Sequence, residues 1–329
     1  MAKSITVKVL DNCYVSPPPN SAPQTSLPLT FFDIPWLFFS PAQTLFFYEY
    51  PYLTNYFTST AFPNLKHSLS LTLQQYYPFA GNLKSTPKSG KPELVYKEGD
   101  KVQLTLAEST GDFNHLSGNH PRDVNEFYQL VPNLPTCFSG EKHLIPLLAV
   151  QVTVFPNAGI CIGLTHHHVA GDGRTFNNFM KTWAWFYSLG DYSSPIKSLP
   201  CYDRGMAKMN ELLEEDGIIV AAEVFGNTVK KLDKAFLGGA EKWISDWEVM
   251  FGSELHVMVS GSPKLDIYET DFGWGRPKKI EEISIDTMRA ISLTESRDLE
   301  GGIEVGLVLP KSKMDAFVIF YNEGLKALP

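Results

Sequence analysis

The residues best suited to chemistry lie in one octapeptide, His166-His167-His168-Val169-Ala170-Gly171-Asp172-Gly173. An imidazole titrates near neutrality, so a well-held histidine can take up a proton and return it. His168 stands four residues before Asp172 in a glycine-flanked turn, and this makes it the candidate general base, exposed on a tight loop. Asp172 reads as a brace. A carboxylate at a helix start caps free amides and suits the positive end of the helix dipole. The competing readings are a solvated loop with incidental histidines and a metal site. Neighbouring side chains of an extended segment face opposite ways, so only His166 and His168 could share one ligand. No His-Glu-x-x-His pattern and no second ligand cluster accompanies them, which argues against a metal.

A second constellation is Tyr268-Glu269-Thr270-Asp271-Phe272-Gly273-Trp274-Gly275-Arg276-Pro277. Two glycines around a tryptophan allow a sharp bend and close backbone approach. Gly273-x-Gly275 lacks the third glycine of a dinucleotide fingerprint and the helix that should follow it. The favoured expectation is structural: an Asp–Arg pair and a packed Trp274 stabilise a turn away from His168. The chain has neither a Gly-x-Ser-x-Gly elbow nor a phosphate-binding loop, which leaves a covalent serine hydrolase as a weak competitor.

The elements that must position these residues are legible from periodicity. Apolar runs over 147–155 and 160–165, separated by Pro156-Asn157-Ala158-Gly159, predict a hairpin. An aromatic run predicts a helix over 174–188, which Asp172 would introduce. Leu65, Leu69 and Leu73 share the face of a helix that Tyr77-Pro78-Phe79-Ala80-Gly81 ends. Strands are expected near 5–10, 93–97 and 102–107, and residues 30–48 read as buried strand and turn. Beyond a loop-like stretch at 190–210, helices are expected over 217–236, 240–251 and 312–325. Strands are expected over 256–260, 280–285, 288–294 and 302–309. Helices and strands mix without a βα repeat, so the class is α+β.

At 329 residues, 43% hydrophobic and only 19% charged, the chain suits two packed domains rather than disorder. A net charge of −8 with scattered Lys and Arg makes nucleic acid a poor partner. No apolar run approaches the ~20 residues of a membrane span. Cys13, Cys137, Cys161 and Cys201 form no Cys-x-x-Cys pair, and a reducing cytoplasm fits them.

Taken in order, His168-Val-Ala-Gly-Asp172-Gly173 and Asp271-Phe-Gly-Trp-Gly275 give the chain its resemblance to the BAHD acyl-CoA-dependent acyltransferases of plants. Leu27-Pro-Leu-Thr-Phe-Phe-Asp33, Tyr77-Pro-Phe-Ala-Gly81 and Gly261-Ser-Pro263 match as well, and residues 290–306 look like the branch that malonylates phenolic and flavonoid glucosides. The resemblance implies two chloramphenicol-acetyltransferase-like domains, 1–205 with the His168 motif and 206–329 with the Asp271–Gly275 motif. It implies malonyl transfer from acyl-CoA, as co-substrate, to a glycosylated phenolic hydroxyl, with no permanently bound cofactor and no metal. Arg174 becomes a candidate for the acyl carboxylate.

The two aspartates, however, stand only about half as far apart as the family spaces them. A join near 205–210 is expected, with an incomplete second domain that lacks the family's Asp-x-Arg-x-Arg segment, whose arginine would pair with Asp172. The resemblance implies a monomer, whereas uncovered apolar faces would promote association. The alternative function is therefore a weak or inactive family member: a splice form, a pseudogene product or a gene-model error.

Overall fold

The computed structural model describes residues 5–30, 33–84, 91–134, 144–189, 219, 222–223, 226–227, 230, 242 and 258–326. Two compact units divide the chain: 1–198 with 257–329, and 199–256. In the smaller unit the described residues at 219, 222–223, 226–227 and 230 are helical. The rest of the helices expected over 217–236 and 240–251, and the join near 205–210, lie outside the described residues.

In the larger unit the strands run in the order β1 (Val7–Val15), β2 (Thr25–Pro28), β3 (Ala42–Glu49), β4 (Asn82–Lys84), β5 (Glu93–Tyr96), β6 (Val102–Ser109), β7 (Leu144–Pro146), β8 (Leu148–Phe155) and β9 (Gly159–His166). After the second unit come β10 (Met258–Gly261), β11 (Lys279–Glu282), β12 (Ala290–Glu295) and β13 (Ile303–Leu307). Six of them form the main sheet in the order β1-β6-β8-β9-β3-β11. Only β6 and β8 pair parallel; the other neighbours are antiparallel. Every residue of β8 and β9 is buried, as expected of central strands covered on both faces.

Two helices cover one face. Phe62–Gln75 buries Leu65, Leu69 and Leu73, and Gly173–Leu189 buries Phe176, Phe179, Met180, Trp183 and Ala184. These positions recur at three and four residues, the helical spacing of one apolar stripe. Trp183 sits where the helices meet, its Nε1 donating to the Leu65 carbonyl and to Ser68 Oγ, both at 3.1 Å. That keeps the ring's one polar atom satisfied inside the core. Phe113, Leu116, Phe127, Leu130 and Val131 pack with Leu45, Phe47 and Cys161 of β3 and β9 in a second buried cluster.

The units are drawn differently from the expected cut at 205/206. β11 adds to the edge of β3, with Lys279 opposite Phe47 and Glu282 opposite Thr44, so 257–329 shares a unit with 1–198. Without that partner β3 would present a row of unpaired amides and carbonyls next to the most buried part of the sheet. Arg122 reinforces the join, with Nη2 2.6 Å from Glu281 Oε1. Beside it lie two smaller sheets, β2-β5-β4-β7 and β10-β12-β13. The helix Lys311–Lys326 buries none of its residues. No described helix is long and apolar enough to cross a membrane.

Candidate active site

β9 carries the histidines out of the main sheet. His166 is its last residue, opposite Ala42 on one side and Leu148 on the other. The His167 amide makes one more sheet-like bond, to the Leu147 carbonyl at 2.9 Å. The chain then tightens into a 3-10 turn, His168–Ala170, in which the Gly171 amide donates to the His168 carbonyl. Asp172 follows as the cap of the helix Gly173–Leu189. Its Oδ1 accepts from the Thr175 amide at 2.8 Å and its carbonyl from the Phe176 amide at 3.0 Å. A side-chain oxygen bonding the third amide of a helix is the standard N-cap geometry. His168 therefore stands between the end of a central strand and the start of a helix locked to the core.

His168 is half-buried rather than exposed as the sequence suggests, because an aromatic ring covers it. Trp36 lies flat on the imidazole, with ring centroids 3.8 Å apart and planes 8° from parallel. Nδ1 is sealed from solvent and has no hydrogen-bond partner among the described residues. Burial lowers the pKa of His168, against a smaller opposing pull from its own and the Gly171 backbone and from Asp172. At neutral pH the ring is thus uncharged and able to accept a proton. His166 is buried against Phe176, stacked at 4.2 Å, and burial pushes its pKa well below the usual value. No three His, Cys, Asp or Glu side chains among the described residues are grouped to hold a metal ion.

The Asp271–Gly275 turn is built differently from the expected Asp–Arg pair. Asp271 Oδ1 accepts from the Gly273 amide at 2.7 Å and the Gly275 amide at 2.9 Å. Both glycines have positive φ, 84° and 88°, a conformation strained for any side chain. Arg276 pairs instead with Glu269, at 3.1 Å. Trp274 packs on residues from far earlier in the chain: Tyr48, Tyr50, Phe57 and Tyr187. The buried Tyr48 hydroxyl donates to the Thr270 carbonyl at 2.9 Å and ties down the start of the turn.

A chain of rings connects the two motifs. Trp274 stacks on Phe272, which meets Trp183 edge-on, and Trp183 leads through Phe179 and Phe176 to His166 and then His168. The turn acts as a wedge behind the helix Gly173–Leu189. Sequence reasoning passed over two contributors, Trp36 and this aromatic spine. The signal for the spine was present in the three-and-four spacing of Phe176, Phe179 and Trp183. For Trp36 it was no more than a tryptophan in an apolar run. Arg174 is exposed at the helix start, and Gly173 is the first helical residue.

The profile of the transferase family matches the chain in two segments, residues 5–212 and 206–321. The malonyl-coenzyme A:anthocyanin 3-O-glucoside-6''-O-malonyltransferase of Dahlia pinnata is 31% identical, with 97% of each chain covered. The malonyl-coenzyme:anthocyanin 5-O-glucoside-6'''-O-malonyltransferase of Salvia splendens is 32% identical, covering 98% of this chain and 96% of the relative. Among solved structures, vinorine synthase superposes with a TM-score of 0.66 at 15% identity, covering 92% of this chain and 94% of that one. The fold is thus the α+β, two-domain chloramphenicol-acetyltransferase-like architecture. The chain belongs to the transferase family of BAHD acyltransferases, enzymes that take their acyl group from acyl-CoA. Its alignment with the Dahlia enzyme runs over 449 positions, whereas the chain has 329 residues, so more than a hundred internal positions of the relative have no counterpart here.

Proposed function

We propose that the chain carries the machinery to move a malonyl group from malonyl-CoA to a sugar hydroxyl of a phenolic or flavonoid glucoside, with His168 as general base. The observation that carries this reading is the placing of His168: an imidazole at a strand end, held flat under Trp36 with Nδ1 sealed, its pKa lowered by burial. The similar Dahlia and Salvia enzymes support the donor and the acceptor class. His168 takes the hydroxyl proton as the oxygen attacks the thioester carbonyl. The tetrahedral intermediate collapses, the C–S bond breaks and the thiolate recovers the proton from His168. A thiolate leaves readily, so the step needs no acyl-enzyme. Asp172 and Gly173 hold the loop and relay no proton. Arg174, exposed at the start of the same helix, is assigned to the free carboxylate of the malonyl group. The cysteine usage, with no Cys-x-x-Cys pair, supports a reducing cytoplasm as the chain's location.

A second reading has its own support. The internal gap, which we place near residues 205–210 where the two matched segments meet, removes part of one domain. In the described residues Val305 is 64% exposed and Phe320 70% exposed, as surfaces that have lost a cover would be. On this reading the chain keeps its motifs and transfers acyl groups slowly or not at all.

One assay separates the readings: release of free CoA thiol from malonyl-CoA in the presence of a phenolic glucoside, with purified monodisperse protein. His168→Ala should lower any rate at least ~10²-fold. An equal loss in His167→Ala with His168→Ala unaffected would overturn the assignment, and no turnover in the unaltered protein would favour the second reading. Arg174→Ala should impair malonyl-CoA more than acetyl-CoA, and equal impairment would remove Arg174 from the donor site.

A further inference from the structure

The ring that covers His168 is held in place by its own short element. The 3-10 turn Ile34–Phe38 carries Pro35 as its second residue, which presets the backbone, and Asp33 anchors its entry. The Asp33 carboxylate accepts from both the amide and the hydroxyl of Thr30 at 2.7 Å. Leu37, the next residue after Trp36, packs in one buried cluster with Leu83, Leu94, Ile145, Leu147 and Val169. Val169 is the neighbour of His168. One apolar cluster therefore clamps both turns, and the two rings lie parallel because the residues beside them are locked together. Phe39 supports the outer side of Trp36 at 4.9 Å.

We propose that Trp36 is a positioning residue for His168: its indole fixes the plane of the imidazole and presents a negative π face to the imidazolium formed when the proton arrives. The inference deepens the general-base reading and rests on it for its catalytic consequence. The stack itself does not depend on that reading. A cation over a tryptophan face is attracted most strongly where water is excluded, and this one is half-buried. His166, His167 and Asp172 are the ionisable neighbours of His168 on its own segment, and Asp33 stands at the entry of the turn that carries Trp36. The turn Ile34–Phe38 contributes none, since it consists of Ile, Pro, Trp, Leu and Phe. Trp36 is thus the part of that turn able to favour the protonated ring.

The test is an NMR titration of the His168 ring protons in the full 329-residue chain, assigned by their loss in His168→Ala. It compares the unaltered protein with Trp36→Phe and Trp36→Leu. Leucine keeps the imidazole covered but has no π face, whereas alanine would admit water and raise the pKa by a different route. We expect the order Trp, Phe, Leu, with Leu lower than Trp by about 0.5–1.5 pH units, and the upfield ring-current shift of His168 lost in Leu alone. Equal pKa values in Phe and Leu, or no ring-current difference, would overturn the proposal. Where turnover is measurable, Trp36→Leu should lower kcat and leave KM for malonyl-CoA unchanged, with Phe restoring most of the rate. A raised acceptor KM with an unmoved pKa would make Trp36 a wall of the acceptor pocket instead. If His168→Ala keeps full activity, the base assignment fails while the titration still decides whether the stack tunes the ring.

Discussion

Asp172 offers the sharpest test of how the histidine loop is held. The sequence motif assigns its carboxylate a role near the chemistry, and the structure shows the bond it makes: Oδ1 to the Thr175 amide, 2.8 Å, at the start of the helix Gly173–Leu189. Removing an N-cap oxygen typically costs about 1 kcal/mol, and the lost interaction with the helix dipole adds about 0.3–1 kcal/mol. Asp172→Ala should therefore destabilise the protein by about 1.5 kcal/mol, or roughly 2–3 °C in Tm for a chain of 329 residues. Asn caps as well as Asp, so Asp172→Asn should lose only the charge term, about 0.5 kcal/mol and less than about 1 °C. Differential scanning fluorimetry with urea melts resolves the two, and neither readout requires turnover. Any transferase rate should follow the same order. A loop displaced by even an ångström costs about tenfold to a hundredfold, so Ala should lose that much and Asn only a few-fold. If Asn and Ala are equally damaging to stability, the cap is not the dominant interaction. If Asn keeps its Tm but loses the rate as fully as Ala, the carboxylate charge takes part in the chemistry and the bracing role is refuted.

Trp274→Ala should cost about 2–3 kcal/mol by urea melts, because the partly buried ring sits among Tyr48, Tyr50, Phe57, Tyr187 and Phe272; a loss below about 1 kcal/mol would show that the turn is not a wedge. His166 and His168 have pKa values lowered by burial, so the unfolded chain binds more protons than the folded one as pH falls below about 6.5, and Tm should drop there; His166→Gln should flatten that limb of the Tm–pH curve. Glu282 works in the opposite sense. Burial raises its pKa against the help of Ser260 Oγ at 2.5 Å, so its cost is absent at low pH and grows as pH rises through the raised value. Glu282→Gln should accordingly raise Tm at pH 7 with the gain vanishing below about pH 4.5; an unchanged gain across pH would exclude this cause. Finally, Phe320→Lys with Val305→Lys should reduce self-association in analytical ultracentrifugation if the exposed apolar faces drive it, and an unchanged distribution would clear them.

The amino-acid sequence by itself determined the local frame of the site. The hairpin β8–β9, the turn at 156–159 and the helix after Asp172 follow from periodicity and turn chemistry, which depend on residues only a few positions apart. For the same reason the Asp172 cap and the sharp glycine turn at Asp271–Gly275 could be read directly. The last helix was legible too, expected over 312–325 and observed at Lys311–Lys326. What only the tertiary structure decided was which distant surfaces meet. β11 closes the edge of β3 although more than 200 residues separate them, and that places Trp274 on residues from far earlier in the chain. Trp36 lies flat on His168 across 132 positions of sequence, turning an imidazole expected to be exposed into a covered one. Spacing along a chain encodes which face of an element is apolar. It carries no record of which other face will bury it, because that choice is made by the packing of the whole core.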